Sequence, residues 1–366
     1  MKLRELVNPH IRDLEPYVPG KPVEELEREL GIGSAVKLAS NESPIGPSRR
    51  AVEAIFAAAE SLNRYPDDTC FALRDALAAE LGVAANQLCF AGGSDGILEL
   101  LAKCFLAPGD DALFPWPSFA LYPILARGAG ARPVLVPLDR EYRADVSALL
   151  AAVTPRTRLL LLANPNNPTG TSIGAAEFAR LVRELPERVV LVADEAYVEF
   201  VRRPDFPDSL AALRERKTLV VLRTFSKSHA LAGLRVGYAI GDPELVSYLE
   251  RSRHPFIVNS LAQVAAVAAL ADRAHTARIA KLTHEGIEQL EAGLRKLGFA
   301  FAQTDANFLL VEVGPGADAL GERLLRLGVI TRPLGGFGLK THLRVSVGTR
   351  EENERFLAGM AAERKS

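Results

Sequence analysis

Five short apolar runs, LCFAG, PVLVPL, RLLLLAN, RVVLVAD and TLVVLRT, lie between residues 88 and 224, separated by amphipathic stretches such as Gly174–Leu185. Runs of this length, bounded by turn residues, mark strands whose sheet is covered on both faces. Their alternation with helices predicts an α/β fold built on a mostly parallel central sheet flanked by helices. The longest apolar candidate for a membrane span, Leu261–Ala271, is interrupted by Gln263 and reads as a packed helix.

The first 35 residues read as a Pro-rich arm that joins the smaller domain; within it VEELEREL predicts a short helix ended by Gly31. Ser48 is expected to cap a helix running through Ala59, and Thr69 another that carries Leu73, Leu77 and Leu81. Residues 36–250 form the predicted large domain. After Gly241 the pattern changes. Residues 258–296 read as one or two long helices, and FAFAQ, NFLLVEV, VITRP and THLRVSV alternate with a helix over Ala317–Leu327. Residues 251–366 are therefore expected to form a smaller α+β domain. With 48% hydrophobic residues in 366, the chain can bury a substantial core and is not a disordered one. A balance of 44 basic against 45 acidic residues argues against a protein that coats nucleic acid. Cys70, Cys89 and Cys104 form no CxxC and cannot all pair, and no His/Cys metal spacing is present, so reduced cysteines and no metal site are expected. The opening MKLRELVNPHIRDLEP lacks an apolar signal core. The expectation is a cytoplasmic protein with no nucleic-acid or membrane partner.

In an open α/β sheet, ligands bind beyond the carboxyl ends of the strands. The residues there are Gly92-Gly93-Ser94-Asp95, Asn164 to Gly170, Asp194 to Tyr197, and Thr224 to Lys227. A lysine in such a place can form a Schiff base when a dry, cationic site lowers its pKa; a solvated surface lysine is the ordinary alternative for Lys227. Asp194 follows apolar residues, where a carboxylate needs a cationic partner. The protonated ring nitrogen of pyridoxal phosphate is one such partner; a helix cap or a Mg²⁺ ligand are others. Tyr197 and Asn167 could donate to an anionic ring oxygen, although Asn167 before Pro168 also suits a plain turn. Ser94 and Asp95 open the helix ILELLAKCF, whose first N–H groups could cradle a phosphate. Ser226 and Arg235, the latter eight residues after Lys227, could complete that phosphate site by charge-assisted hydrogen bonds, with Thr224 in the same stretch. Phe119 could stack on the ring or belong to the core.

These residues sit in motifs that resemble the fold-type I, pyridoxal-phosphate-dependent aminotransferases of class I and II, and within them the histidinol-phosphate aminotransferases. The resemblance runs over nearly the whole chain: PYVPGKPVEEL, LASNESPIGPS, RYPD, GGSDGILELL, PSFALY, NPNNPTG, DEAYVEF, TFSKSHALAGLRVGY, ANFLLVEV, VITRPLGGFG and LRVSVGTREEN. It implies that Lys227 carries the cofactor and shuttles the proton, that Asp194 holds the pyridinium, and that Tyr197 and Asn167 bind the ring oxygen. It places Ser94, Asp95, Ser226 and Arg235 around the phosphate and Phe119 on the ring face. It also implies that Tyr65 reaches the cofactor phosphate of a second subunit, so that a homodimer shares its active sites. Arg332 and Arg344 then grip the substrate's anionic end, with Tyr17 and Asn307 lining the same pocket. The implied reaction is transamination between L-histidinol phosphate and 2-oxoglutarate, with glutamate as co-product. An aromatic amino acid aminotransferase, a threonine-phosphate decarboxylase and a non-catalytic regulator are rival readings; intact Lys227 and Asp194 argue against the last. Ile45, His254 and Ile257 depart from the residues common in the resembling family and bear on specificity.

Overall fold

The computed structural model describes residues 2–16 and 20–364. After the short β1 (Val36–Lys37), the strands β2 (Leu88–Ala91), β3 (Asp111–Trp116), β4 (Arg132–Pro137), β5 (Thr157–Ala163), β6 (Val190–Asp194), β7 (Leu219–Thr224) and β8 (Gly237–Gly241) follow in chain order. β2 to β8 make a seven-stranded sheet in the order β2-β8-β7-β6-β5-β3-β4. The strands β3 to β7 are mutually parallel, and β8 runs antiparallel to both its neighbours.

The apolar runs of β2, β5, β6 and β7 are continuous because each of those strands feeds two cores, whereas the edge strand β4 feeds one. Leu191 and Ala193 of β6 enter one hydrophobic cluster, and Val190 and Val192 enter another on the opposite face. β5 and β7 alternate in the same way, as strands buried on both faces should. Two strands of this sheet escaped the sequence reading. β3 begins at the buried Asp111 and contains Pro115, and β8 is bracketed by Gly237 and Gly241, so neither shows the expected apolar signature. Gly237 is required by a close approach: a Cβ there would lie 2.4 Å from the Ser94 nitrogen. This contact draws β8 against the start of the helix Ser94–Phe105.

The smaller domain holds β9 (Ala300–Phe301), β10 (Phe308–Glu312), β11 (Val329–Ile330), β12 (Arg332–Leu334) and β13 (Leu339–Ser346). Four of them form an antiparallel sheet in the order β12-β13-β10-β9. The helices Arg273–Lys296, Ala317–Arg326 and Arg350–Glu363 close its core around Leu290, Leu309, Leu343 and Phe356.

Two contacts bear on the expected boundaries. The helix Ser260–Leu270 packs its Ala262, Ala265, Ala266 and Ala269 into the core that also holds Leu160, Leu191 and Val221 of the large sheet. β1 pairs with β11, which ties residues 36 and 37 to the smaller domain. Ser48 caps its helix as expected, with its side chain accepting from the Ala51 nitrogen. Thr69 does not cap. Cys70 occupies the N-cap position in a left-handed conformation, and Asp67 takes the N–H groups of Thr69 and Phe71. Cys70, Cys89 and Cys104 are all free. Among the described residues, no helix is long and apolar enough to cross a membrane, and no group of His, Cys, Asp and Glu could hold a metal ion.

Candidate active site

The carboxyl ends of β5, β6 and β7 open into a cavity of about 410 Å³, roofed by Arg332 and Arg344 of the smaller domain. A larger groove of about 820 Å³ lies elsewhere between the domains. Several of its polar groups are already satisfied by one another, as in Ser172–Asp305, Arg203–Asp205 and Tyr142–His342. The chemistry therefore belongs to the smaller cavity.

Lys227 enters it from the turn after β7, which Thr224 tightens by accepting from the Ser226 nitrogen at 3.1 Å. Its Nζ donates to the Asn41 carbonyl at 3.0 Å. Burial and the nearby Arg344 charge lower the amine to about 8, with Arg235 adding to the effect and Glu42 and Asp95 opposing it. A substantial fraction of neutral amine near neutral pH is what a nucleophilic lysine requires.

Asp194 ends β6 and is buried. Burial raises its carboxyl to about 6, against the pull of hydrogen bonds from the Tyr122 hydroxyl and the Ala196 N–H. Its Oδ2 accepts from Tyr122 Oη at 2.8 Å, whereas its Oδ1 is buried with no hydrogen-bond partner. A buried carboxylate oxygen left unmatched is costly and points to an absent cationic or donor partner.

At the far end, the helix Ser94–Phe105 starts without a side-chain cap, because Gly93 is its N-cap residue. Arg235 reaches the same place, donating to Ser226 Oγ at 3.3 Å and to both Asp95 carboxylate oxygens at 2.8 and 3.0 Å. Gly93 has φ 95° and a Cβ there would collide with Asp95 and Arg235, so only glycine fits. Uncapped N–H groups, a serine hydroxyl and a guanidinium form an anion cradle. Phe119 lines the cavity and meets Tyr122 edge-on at 5.7 Å.

Arg344 Nη1 donates to Asn167 Oδ1 at 2.6 Å and Nη2 donates to the Ala39 carbonyl. The Asn167 acceptor end is thereby occupied, and its amide nitrogen is the end left to donate. Arg332 sits opposite Arg344 in the β12–β13 register, and both line the cavity. Asn307 is buried beside it and donates to the Asn41 carbonyl at 3.1 Å. Tyr65 is not brought into the cavity: it is 82% exposed and stacks on Phe256 at 4.6 Å. Tyr17 lies outside the described residues.

Two residues of consequence were not singled out from the sequence. Asn41, at φ 53°, receives Lys227 and Asn307 on its carbonyl and donates its side-chain nitrogen to Tyr197 Oη at 3.0 Å. Tyr122 holds Asp194. Only the SNES stretch around Asn41 and the PSFALY stretch around Tyr122 pointed their way. The complete set fits a flat nitrogen heterocycle bearing an aldehyde and a phosphate, the group implied by the sequence resemblance.

The fold and the site define a lysine-centred enzyme of the α/β type. The family description "Aminotransferase class I and II" matches residues 34–360, and the chain belongs to that family. A histidinol-phosphate aminotransferase of Moorella thermoacetica is 45% identical over 351 residues, covering 96% of this chain and 91% of that protein. A histidinol-phosphate aminotransferase 2 of Ralstonia nicotianae is 47% identical, covering 96% and 95%. Among solved structures, the histidinol-phosphate aminotransferase of Sinorhizobium meliloti in complex with pyridoxal-5'-phosphate superposes with a TM-score of 0.91 at 29% identity, covering 98% and 97%.

Proposed function

We propose that this chain binds pyridoxal 5'-phosphate and transfers the amino group of L-histidinol phosphate to 2-oxoglutarate, giving imidazole-acetol phosphate and glutamate. The observation that carries the reading is one cavity holding both a lysine of lowered basicity and a buried carboxylate with an unmatched oxygen. The names of the full-length relatives supply the donor. When bound, the cofactor supplies an aldehyde that condenses with amines and a pyridinium ring that withdraws electrons from the reacting carbon.

The chain's own residues do the rest. Lys227 Nζ would be the nucleophile that anchors the cofactor and, as a free amine, the base that takes the proton from the donor's α-carbon. Asp194, through its unmatched Oδ1, would hold the protonated ring nitrogen. Tyr197 and the Asn167 amide would hold the ring oxygen. Ser94, Ser226 and Arg235 would take the phosphate, with Asp95 holding Arg235 in line and Thr224 fixing the turn, and Phe119 would pack against the ring. Arg332 and Arg344 serve both half-reactions, because a guanidinium makes planar paired contacts with a phosphate monoester and with a carboxylate alike. Asn307 supports that pocket through its bond to the Asn41 carbonyl. The active unit is a homodimer in which Tyr65 of one copy reaches the other's phosphate site, and the enzyme works in the cytoplasm.

The test is a donor panel with 2-oxoglutarate, following glutamate and CO₂. Histidinol phosphate should be the best donor, and histidinol without its phosphate should be far poorer. Equal rates for those two, or a preference for phenylalanine, would move the reading to an aromatic aminotransferase. Release of CO₂ from threonine phosphate would move it to a decarboxylase.

A further inference from the structure

The Tyr122 ring is fully buried, wedged edge-on between Phe114 and Phe119 with centroids 5.7 Å away in each case. Its hydroxyl donates to Asp194 Oδ2 at 2.8 Å. A ring fixed by two neighbours gives that hydroxyl one direction in which to point. Asp194 carries two oxygens, one held by Tyr122 and the other left over at the cavity.

We propose that Tyr122 is a positioning residue for the ring-nitrogen end of the site: it turns the Asp194 carboxylate so that Oδ1 alone meets the cofactor, and it keeps that carboxylate a weak enough base to leave the proton on the ring. The inference rests on the cofactor reading above. Burial works in the opposite direction on Asp194, raising its carboxyl, and Asp95 on the helix Ser94–Phe105 and the neighbouring Glu195 raise it further. Among the described residues, the Tyr122 hydroxyl and the Ala196 N–H pull it down. Tyr197 on the same strand end and Lys227 after β7 are the other titratable groups lining the cavity with Asp194 and Asp95, together with Glu42, Arg235, Arg332 and Arg344. The Tyr122 hydroxyl is itself pushed well above its ordinary pKa by burial and by the Asp194 charge, so it stays a donor throughout the working range. A phenylalanine cannot donate, and Asp194 then competes better for the ring-nitrogen proton. The ring becomes less positive. A less positive ring withdraws less, so the Lys227 nitrogen, once linked to the cofactor, keeps its proton to higher pH.

The experiment is an absorbance titration of the cofactor-loaded wild type and of Tyr122→Phe, with Tyr122→Phe/Asp194→Asn and Asp194→Asn alongside. Tyr122→Phe should move the midpoint up by about one pH unit, a tenfold change in the proton dissociation constant. The double variant should titrate with Asp194→Asn alone, because the hydroxyl acts only through that carboxylate. Phenylalanine keeps the ring between Phe114 and Phe119, so far-UV circular dichroism and Tm should stay near wild type; a merely structural role would move these and leave the midpoint in place. Coincident titrations for wild type and Tyr122→Phe overturn the inference while the cofactor reading stands. A further shift when the hydroxyl is removed from Asp194→Asn also overturns it. A wild type that takes up no pyridoxal phosphate overturns both. If Tyr122→Phe does not fold, the wild type against Asp194→Asn decides: no difference in midpoint removes Asp194, and with it Tyr122, from the ring-nitrogen end.

Discussion

Lys227 is set apart from the other lysines by what surrounds its amine. Burial, Arg344 and Arg235 all press its proton off, and the Asn41 carbonyl at 3.0 Å fixes where it points. Borohydride reduction of the cofactor-loaded protein should therefore fix the label on the peptide containing Ser226–Ser228, and capture of added pyridoxal phosphate by the cofactor-free protein should accelerate as pH rises through about 8. A stable adduct on another lysine would reject the assignment. Lys227→Ala should lower kcat by about three orders of magnitude or more, since it removes nucleophile and proton carrier together. Lys227, Asp194, Asn167 and Ser94 were legible in the sequence because each closes or follows a strand or starts a helix, and chemistry-bearing residues in those places stand out. Asn41 and Tyr122 were not. Asn41 acts 186 residues away from Lys227, and Tyr122 acts 72 away from Asp194, and nothing local in either stretch announces the partner.

The turn that carries Lys227 is pinned to the helix Arg273–Lys296 by His229, which meets Thr276 Oγ1 at 3.3 Å and packs on Phe225 at 4.7 Å. Burial and the facing His275 lower His229 to about 4, with Glu80 opposing. An unfolded chain takes up that proton near 6.5, so the folded state is favoured fully above that pH and loses this contribution as pH falls towards 4. Asp194 works with the opposite sign. Its carboxyl is raised to about 6 when folded, so it favours the fold towards acid and loses that contribution as pH rises through 6. In thermal melts of the full chain, His229→Asn should flatten the fall in Tm between pH 6.5 and 4. An unchanged slope would show that His229 titrates as it does in the unfolded chain. The same scale explains which elements could be read beforehand. The five apolar runs appear as β2, β4, β5, β6 and β7; burial on both faces imposes a continuous apolar signature on all but β4, an edge strand of the sheet, which buries only Val136 fully. β3 and β8 carry proline, aspartate or glycine for reasons of packing, and those residues conceal a strand.

For the whole molecule, the change in sequence character after Gly241 does not coincide with a change of core. The helix Ser260–Leu270 is an Ala-rich rod that fits against the helix Arg49–Ala58 in the large core, and alanine-rich packing gives no sign of which domain it serves. The surface raises the remaining question. Tyr65 is 82% exposed, with Phe56, Leu62 and Phe71 also exposed nearby in the sequence. Large exposed apolar side chains of this kind mark a contact surface when they gather. The loop that carries Tyr65 is nevertheless rigidly built. Asp68 pairs with Arg253 at 2.8 Å and accepts from the Phe256 nitrogen, and Phe256 in turn supports the Tyr65 ring. A tyrosine held firmly in the open, outside its own chain's cavity, suits a second copy of the chain. In a symmetric dimer, a Lys227→Ala subunit still lends its Tyr65, and a Tyr65→Ala subunit still owns its Lys227. Each hybrid then has one complete site. Mixing the two inactive variants after dissociation should restore up to about a quarter of wild-type activity, since half the dimers are hybrids with one working site in two. Light scattering must find dimers. If hybrids form, Tyr65→Ala alone is inactive and no activity returns, the shared site is wrong and Tyr65 serves only its own chain.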